Sequence, residues 1–328
     1  MSGPKRTAPQ AHAAALLLML CASAPGLAAD TSPAKPDSTT FAPYSLRTDW
    51  TLDRDALEAA GIRRPSRLAY DSDGNLLVLD TETRRVVKLD PRGRVLYEVG
   101  GYGQDETSLE LPVDIAVDRD QTLLVLDRGR GALVAFDRAG RFLGQRLFQG
   151  AAAEDSRSAG ARILLDRFGK LSLLSVRARD LIPVDDRLQP IRATRTLIPE
   201  DSLLTPVAVA ASPQGEIWVY DATRVMLLRF AQSGRLRFTA HLGSSVPPVS
   251  LPDLAVDQAG YLYAANQAGQ SVEVFSEGIV GFARTLRVLG GDRIPWRPAA
   301  LAIGPHRQIA VADPDRPEIQ VLTPGPRP

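Results

Sequence analysis

Leu68-Ala69-Tyr70-Asp71-Ser72-Asp73-Gly74-Asn75-Leu76-Leu77-Val78-Leu79-Asp80 is an apolar run, a turn and a second apolar run that ends on a carboxylate. Asp, Ser, Asn and Gly are the residues that close tight turns, so the stretch reads as a β-hairpin. The second run returns as Leu123–Asp127, Leu171–Ser175, Ile217–Asp221, Leu262–Asn266 and Ile309–Asp313. Each copy follows an anchor at a fixed offset of nine: Asp71, Asp118, Asp166, Ser212, Asp257 and Gly304. Successive anchors are 47, 48, 46, 45 and 47 residues apart. A period of this length marks one supersecondary unit that buries its faces only by stacking on its neighbours.

Outward from the anchors, each unit supplies four short strands. In the first copy Leu76–Leu79 is followed by Val86–Leu89, a Pro91-Arg92-Gly93 turn and Val95–Val99. Fifteen and eighteen residues beyond the anchors every copy is apolar: Val86/Leu89, Leu133/Phe136, Leu181/Val184, Leu227/Phe230, Val272/Phe275 and Ile319/Leu322. Two residues before the anchors stand Ala69, Ala116, Ala210, Ala255 and Ala302, with Leu164 the exception. Small side chains suit the innermost strand, where radial sheets converge. The expected fold is all-β: a six-bladed β-propeller with four antiparallel strands per blade. The sixth copy ends without a fourth strand at Thr323-Pro324-Gly325-Pro326, while Tyr44–Leu52 resembles a fourth strand placed before the first unit. An N-terminal strand in the last blade would therefore close the ring and cover an open edge.

The rest of the chain reads differently. Lys5 and Arg6, the apolar Ala13–Leu20 and the small Ala28 and Ala29 resemble a secretory signal peptide over residues 1–29. Cys21 offers a lipoprotein alternative, disfavoured because bulky Leu20 precedes it. Residues 30–43, rich in Pro, Ser and Thr, are expected to be a disordered linker; the propeller spans 44–323 and a tail 324–328. Removing the leader takes Lys5 and Arg6 from 39 basic residues, leaving 37 against 38 acids, and removes the one cysteine. A near-neutral surface has no field to attract nucleic acid, and no later apolar run approaches transmembrane length. The expectation is a soluble periplasmic or secreted protein without disulfides; its oligomeric state is open.

Pro65…Leu68-Ala69-Tyr70-Asp71…Asp73-Gly74-Asn75-Leu76…Val78-Leu79-Asp80, with Val86…Leu89-Asp90…Gly93 and Gly100-Gly101-Tyr102-Gly103 leading to Pro112, resembles the NHL-repeat pattern. Copies one and two carry it best. Copy three departs from it, with Gly160 in place of the proline and Ser175 in place of the terminal Asp. The family's asparagine-histidine-arginine connection is reduced to Arg84-Arg85. The resemblance implies a six-bladed propeller, which in some relatives binds RNA and in others carries a central metal.

Two polar columns follow from the repeat. Asp80, Asp127, Ser175, Asp221, Asn266 and Asp313 end the second strands; as a ring they could hold a hard cation such as calcium, and as single residues they shape the next turn. The turn reading is preferred, because one oxygen group per blade does not converge on a point. Four residues before the anchors lie Arg67, Asp114, Arg162, Ala208, Asp253 and Ala300, expected around one mouth of the channel. Alternating charges there can satisfy one another across blades. Alternatively, Arg67 and Arg162 receive a carboxylate or phosphate, flanked by Arg64 and Trp296, since arginine's planar fork suits that task.

With His12 in the leader, only His241 and His306 remain, on distant copies. The amidating lyases that resemble this chain in their repeats need several histidines around zinc. Gluconolactonase-like propellers use glutamate, asparagine and aspartate on a metal, and no glutamate stands at a matching position here. The sequence therefore points to a binding or scaffold propeller, without cofactor or catalytic residues, for a protein, glycan or small anionic ligand. The alternatives are a metal-assisted lactonase- or lyase-like enzyme at the same mouth, and a structural subunit of an envelope assembly.

Overall fold

The structure is a computed structural model that describes residues 46–191, 203–242, 249–275, 284–286 and 296–324. The expected leader and linker, Tyr44 and Ser45 of the expected N-terminal strand, and residues 325–328 lie outside it.

The first strand, β1 (Leu46–Leu52), precedes a short helix, α1 (Arg54–Ala59), whose Asp53 cap accepts from the Ala56 N–H at 3.0 Å. Blade one then runs β2 (Pro65–Tyr70), β3 (Leu76–Asp80), β4 (Arg85–Leu89) and β5 (Val95–Gly100), and blade two β6 (Pro112–Val117), β7 (Leu123–Asp127), β8 (Ala132–Phe136) and β9 (Phe142–Leu147). After helix α2 (Ala151–Ser156), blade three contributes β10 (Arg162–Leu165), β11 (Leu171–Ser175) and β12 (Asp180–Pro183). Blade four holds β13 (Pro206–Ala211), β14 (Ile217–Asp221), β15 (Met226–Phe230) and β16 (Leu236–His241). Blade five holds β17 (Asp253–Val256), β18 (Leu262–Asn266), β19 (Ser271–Phe275) and β20 (Arg284–Leu286), and blade six β21 (Ala300–Ile303), β22 (Ile309–Asp313) and β23 (Glu318–Pro324).

Every pairing between these strands is antiparallel and between chain neighbours, with one exception. The sixth sheet has the order β1-β23-β22-β21, so the N-terminal strand is its outer member, paired from Leu46↔Pro324 to Leu52↔Ile319 with a register shift between Thr48 and Trp50. The expected closure is therefore the observed one. Blade three shows three strands among the described residues. Beyond them lies an isolated antiparallel bridge, Val184↔Pro190. Helices α1 and α2 were not legible in the repeat, because both lie in connections between copies.

Burial explains the composition of each strand. The second strands pack against a neighbouring blade on both faces, so β3, β14, β18 and β22 are buried at all five positions and read as continuous apolar runs. The fourth strands face solvent at the rim, and β9 has no fully buried residue. Between blades one and two, Leu79 and Val86 meet Ile115, Val125 and Phe136 in one cluster. Comparable clusters fill the other junctions.

The outer rim repeats a second contact that the sequence pattern did not expose. On the fourth strand of blade six, Trp50 lies against Gly93 in the hairpin of blade one, where an added Cβ would meet the indole at 3.4 Å. Tyr97 of blade one lies likewise against Gly140 of blade two, with a 2.9 Å approach. A glycine is needed under each ring because the ring occupies the place of a side chain, and both glycines have positive φ as well. Blade two inverts the arrangement: Gly144 stands on the strand and Leu188 in the next hairpin, and a Cβ added at Gly144 meets nothing within 4 Å.

Candidate functional site

The six anchors organise the hairpins that lead away from the axis. Asp71 Oδ1 accepts the N–H groups of Asp73 and Asn75 at 3.0 and 2.8 Å, and Asp118, Asp166 and Asp257 repeat the pattern. Ser212 keeps one such bond, to Glu216, with its hydroxyl. At Gly304 the side-chain amide oxygen Oε1 of Gln308 takes over, accepting from His306 N–H at 3.0 Å; it lies 2.5 Å from where a Cβ of residue 304 would stand.

The column at the ends of the second strands has a purely local task. Asp80 accepts from Arg63 and Arg64 in the loop before its blade, and from Glu82 and Thr83 in the turn after the strand, at 2.6 to 3.2 Å. Asp127, Asp221, Asn266 and Asp313 tie the same two segments in their blades. With every carboxylate facing backbone N–H groups of its own blade, the ring does not fit a cation. Ser175 is too short for both segments, and Asp155 of α2 supplies the missing carboxylate: Ser175 donates to it at 2.8 Å and Arg177 at 2.9 Å. Sequence reading missed Asp155, whose signal was the loss of the column's Asp in the same copy that gains a helix.

Of the other column, the four charged residues share one cavity, and Ala208 and Ala300 are not among its lining. Arg67, Asp114, Arg162 and Asp253 all line a cavity of about 220 Å3 at one mouth, together with residues from all six innermost strands. Asp114 accepts from Ile163 N–H of blade three at 2.8 Å, and Asp253 from Leu301 N–H of blade six at 2.9 Å, so each carboxylate joins two innermost strands. Arg162 lies 3.5 Å from Asp114 and 3.9 Å from Asp253. It also donates to the main-chain oxygen of Pro252, at the start of blade five.

Arg67 is held differently. Its Nη1 donates to the Ser66 carbonyl at 2.6 Å, whereas its Nε is 3.7 Å from Asp114, outside hydrogen-bond distance, and shielded from solvent without a partner. Burial, and then the charge of Arg162, lower its pKa to about 10, against the pull of Asp253 and Asp114. Burial also pushes the Asp114 carboxyl up, opposed by Arg162, Arg67 and the Ile163 N–H. The cluster is electroneutral, with two cations and two anions.

Arg64 and Trp296 do not join this group. Arg64 points outward, half exposed, to Asp315 at 3.3 Å. Trp296 is wholly buried between blades five and six, and its indole N–H donates to Glu318 at 3.1 Å. The indole thus offers no stacking face at the mouth. Arginine and tryptophan at these positions carried no mark in the sequence to separate a loop residue from a core one. His241 and His306 are both exposed, on different blades. Among the described residues, no group of three or more His, Cys, Asp and Glu could hold a metal ion. Asp114 and Asp253 do not fit one, because arginines and backbone N–H groups already face their oxygens.

No protein-family model matches the chain, and no characterised sequence relative does. Solved structures do. A streptogramin B lyase is 10 % identical with a TM-score of 0.60, covering 86 % of this chain and 98 % of its own. A gluconolactonase from Xanthomonas campestris is 19 % identical with a TM-score of 0.53, over 80 % and 87 %. A Swd1 β-propeller domain from Myceliophteria thermophila is 12 % identical with a TM-score of 0.61, over 86 % and 100 %. The likeness carries the six-bladed fold, which hosts lyases, lactonases and scaffold propellers alike.

Proposed function

We propose that this chain is an exported NHL-type binding propeller that receives the anionic group of a ligand at the channel mouth, with Arg67 as the receiving side chain. The support is the contrast within the quartet. Asp114, Arg162 and Asp253 each hold direct contacts across blades, while Arg67, which lines the same cavity, keeps a buried Nε donor without a hydrogen-bond partner. A buried unsatisfied donor is costly, and a carboxylate or phosphate oxygen would relieve that cost.

The size of the cavity limits what enters. At about 220 Å3 it is smaller than typical sites for whole small molecules, roughly 300–1,000 Å3. A water takes about 30 Å3, so the space suits an acidic head group of a few atoms, carried by a small ligand, a glycan acid or a protein carboxylate. Arg162 has a positioning role: pinned by Asp114, Asp253 and Pro252, it keeps the walls of the mouth in place.

Export rests on the leader-like residues 1–29, and a periplasmic or secreted location accords with a chain whose only cysteine lies in that leader. No helix among the described residues is long and apolar enough to cross a membrane.

The test is calorimetric titration of acetate and of inorganic phosphate into the wild type and into Arg67→Gln. Saturable binding to the wild type that falls at least tenfold in the variant supports the assignment. Equal binding by both proteins, or none by either, overturns it. The rival reading is metal-assisted hydrolysis, and a stoichiometric divalent ion in the purified protein would favour it.

A further inference from the structure

The junction between blades two and three opens a groove of about 830 Å3 at the rim, well away from the mouth quartet. Its origin lies in one register position of the repeat. On the third and fourth strands, blade one pairs Lys88 with Tyr97 and blade four pairs Arg229 with Phe238. In both, the cation stacks on the ring: Lys88 Nζ is 5.3 Å from the Tyr97 centroid, and the Arg229 guanidinium 5.8 Å from that of Phe238. At the same register blade two pairs Ala135 with Gly144, so both ring and cation are missing.

The missing cation leaves a charge behind. In blade one Lys88 is bound to the anchor Asp71 at 2.9 Å, through Oδ2, which also accepts from the Asn75 side-chain amide, while Oδ1 takes the backbone N–H groups of the turn. The matching anchor of blade two, Asp118, lines the groove with its turn bonds on Oδ1 alone and no ion pair among the described residues. Asp185 and Asp186 of blade three line it too. Lys170 and Arg146 are its cations; neither makes an ion pair among the described residues, and Arg146 donates to the Asp186 carbonyl at 2.6 Å. The walls are otherwise largely apolar, and Leu188 from the next hairpin forms part of them.

We propose that this groove binds a small arylalkylamine, whose ring takes the place that Tyr97 fills in blade one and whose ammonium takes the place of Lys88, facing Asp118. A volume of about 830 Å3 falls inside the range of small-molecule sites, roughly 300–1,000 Å3. Charge selects the amine. The three carboxylates Asp118, Asp185 and Asp186 outnumber the two cations Lys170 and Arg146, so the groove favours an ammonium over an acid, and a neutral ring would add no counter-charge for Asp118.

Tyramine joins a phenol ring to an ammonium through a short linker and serves as the probe. Calorimetry on the full-length protein should show one saturable site for tyramine, at least tenfold tighter than for p-cresol, which lacks the cation, or ethylamine, which lacks the ring. Asp118→Asn keeps the turn through its amide oxygen; it should weaken tyramine at least tenfold and leave p-cresol unchanged. Ala135→Lys, which restores the cation of blade one, should abolish tyramine binding, with an unchanged circular dichroism spectrum showing that the fold persists. The proposal is overturned if tyramine binds no tighter than p-cresol, or if Asp118→Asn binds it like the wild type. It is also overturned if no probe saturates the wild type.

Discussion

Arg162 of blade three donates a hydrogen bond to the main-chain oxygen of Pro252, at the start of blade five. The same guanidinium lies within 4 Å of carboxylates on blades two and five. One side chain therefore couples three blades at the axis.

Removing it should cost more than an ordinary surface pair. In Arg162→Ala, Asp114 and Asp253 keep their backbone donors but lose their shared cation, and truncating one member of a buried ion pair typically costs about 3–5 kcal/mol. For a domain of this size that corresponds to a fall in melting temperature of roughly 5–9 °C. Differential scanning calorimetry checks it; a fall below about 2 °C would mean that the pair is spent against its own desolvation.

Two carboxylates of this fold should respond to acid with opposite signs. Burial raises the folded pKa of Asp114, so the native state binds its proton more tightly than the unfolded chain. The stability it contributes therefore falls as pH rises from about 3.9 through the folded value. At Asp71, burial is outweighed by hydrogen bonds from Asn75 and Lys88, which lower the pKa. Its contribution is complete above about 3.9 and is lost as pH falls through the folded value. Urea melts across the acid range should show the wild type losing ground to Asp114→Asn as pH rises through the first window. The wild type should gain on Asp71→Asn as pH rises through the second.

Blade three tests whether the repeat tolerates its own consensus. Ser175→Asp restores the residue found at this position in blade one, yet it sets a second carboxylate against Asp155, with both groups buried. We expect the single substitution to destabilise by about 1–3 kcal/mol and Asp155→Ser, added to it, to recover most of the loss, a coupling that a double-mutant cycle reads directly. Simple additivity would show that the two side chains do not share one task.

The repeat made the fold legible because its signals are local. An Asx turn such as that of Asp71, and a strand buried on both faces such as β3, are each written in consecutive residues. The mouth quartet was legible for a different reason: a fixed offset from the anchor places side chains at one height around the axis, whatever their chemistry. What the offset does not carry is direction and depth. Trp296 and Arg64 sit in connections of variable length, so spacing cannot say that the indole turns into the core and the guanidinium out to Asp315. Substitutions across blades were equally hidden, since Asp155 and Gln308 replace anchor or column groups from outside the aligned position.

Closure of the ring rests on β1, whose pairing with β23 covers the outer edge of blade six. Trp50 strengthens it by reaching blade one, where the indole N–H donates to the Pro91 carbonyl at 2.9 Å and the ring lies on Gly93. Deleting residues 46–52 removes the strand, exposes the backbone edge of β23, and takes an apolar cover from the cluster that holds Leu57, Leu68 and Val321. Blade six should then unfold ahead of the other blades, because a repeat that loses one interface keeps less than its share of the stability. Urea titration followed by circular dichroism should show the wild type in a single transition, and the deletion variant in two or in one with a much smaller m-value. Trp50→Ala keeps the strand and loses the ring, so it should lower the midpoint while leaving a single transition. A deletion variant that unfolded in one step with the wild-type m-value would show that the propeller closes without its N-terminal strand.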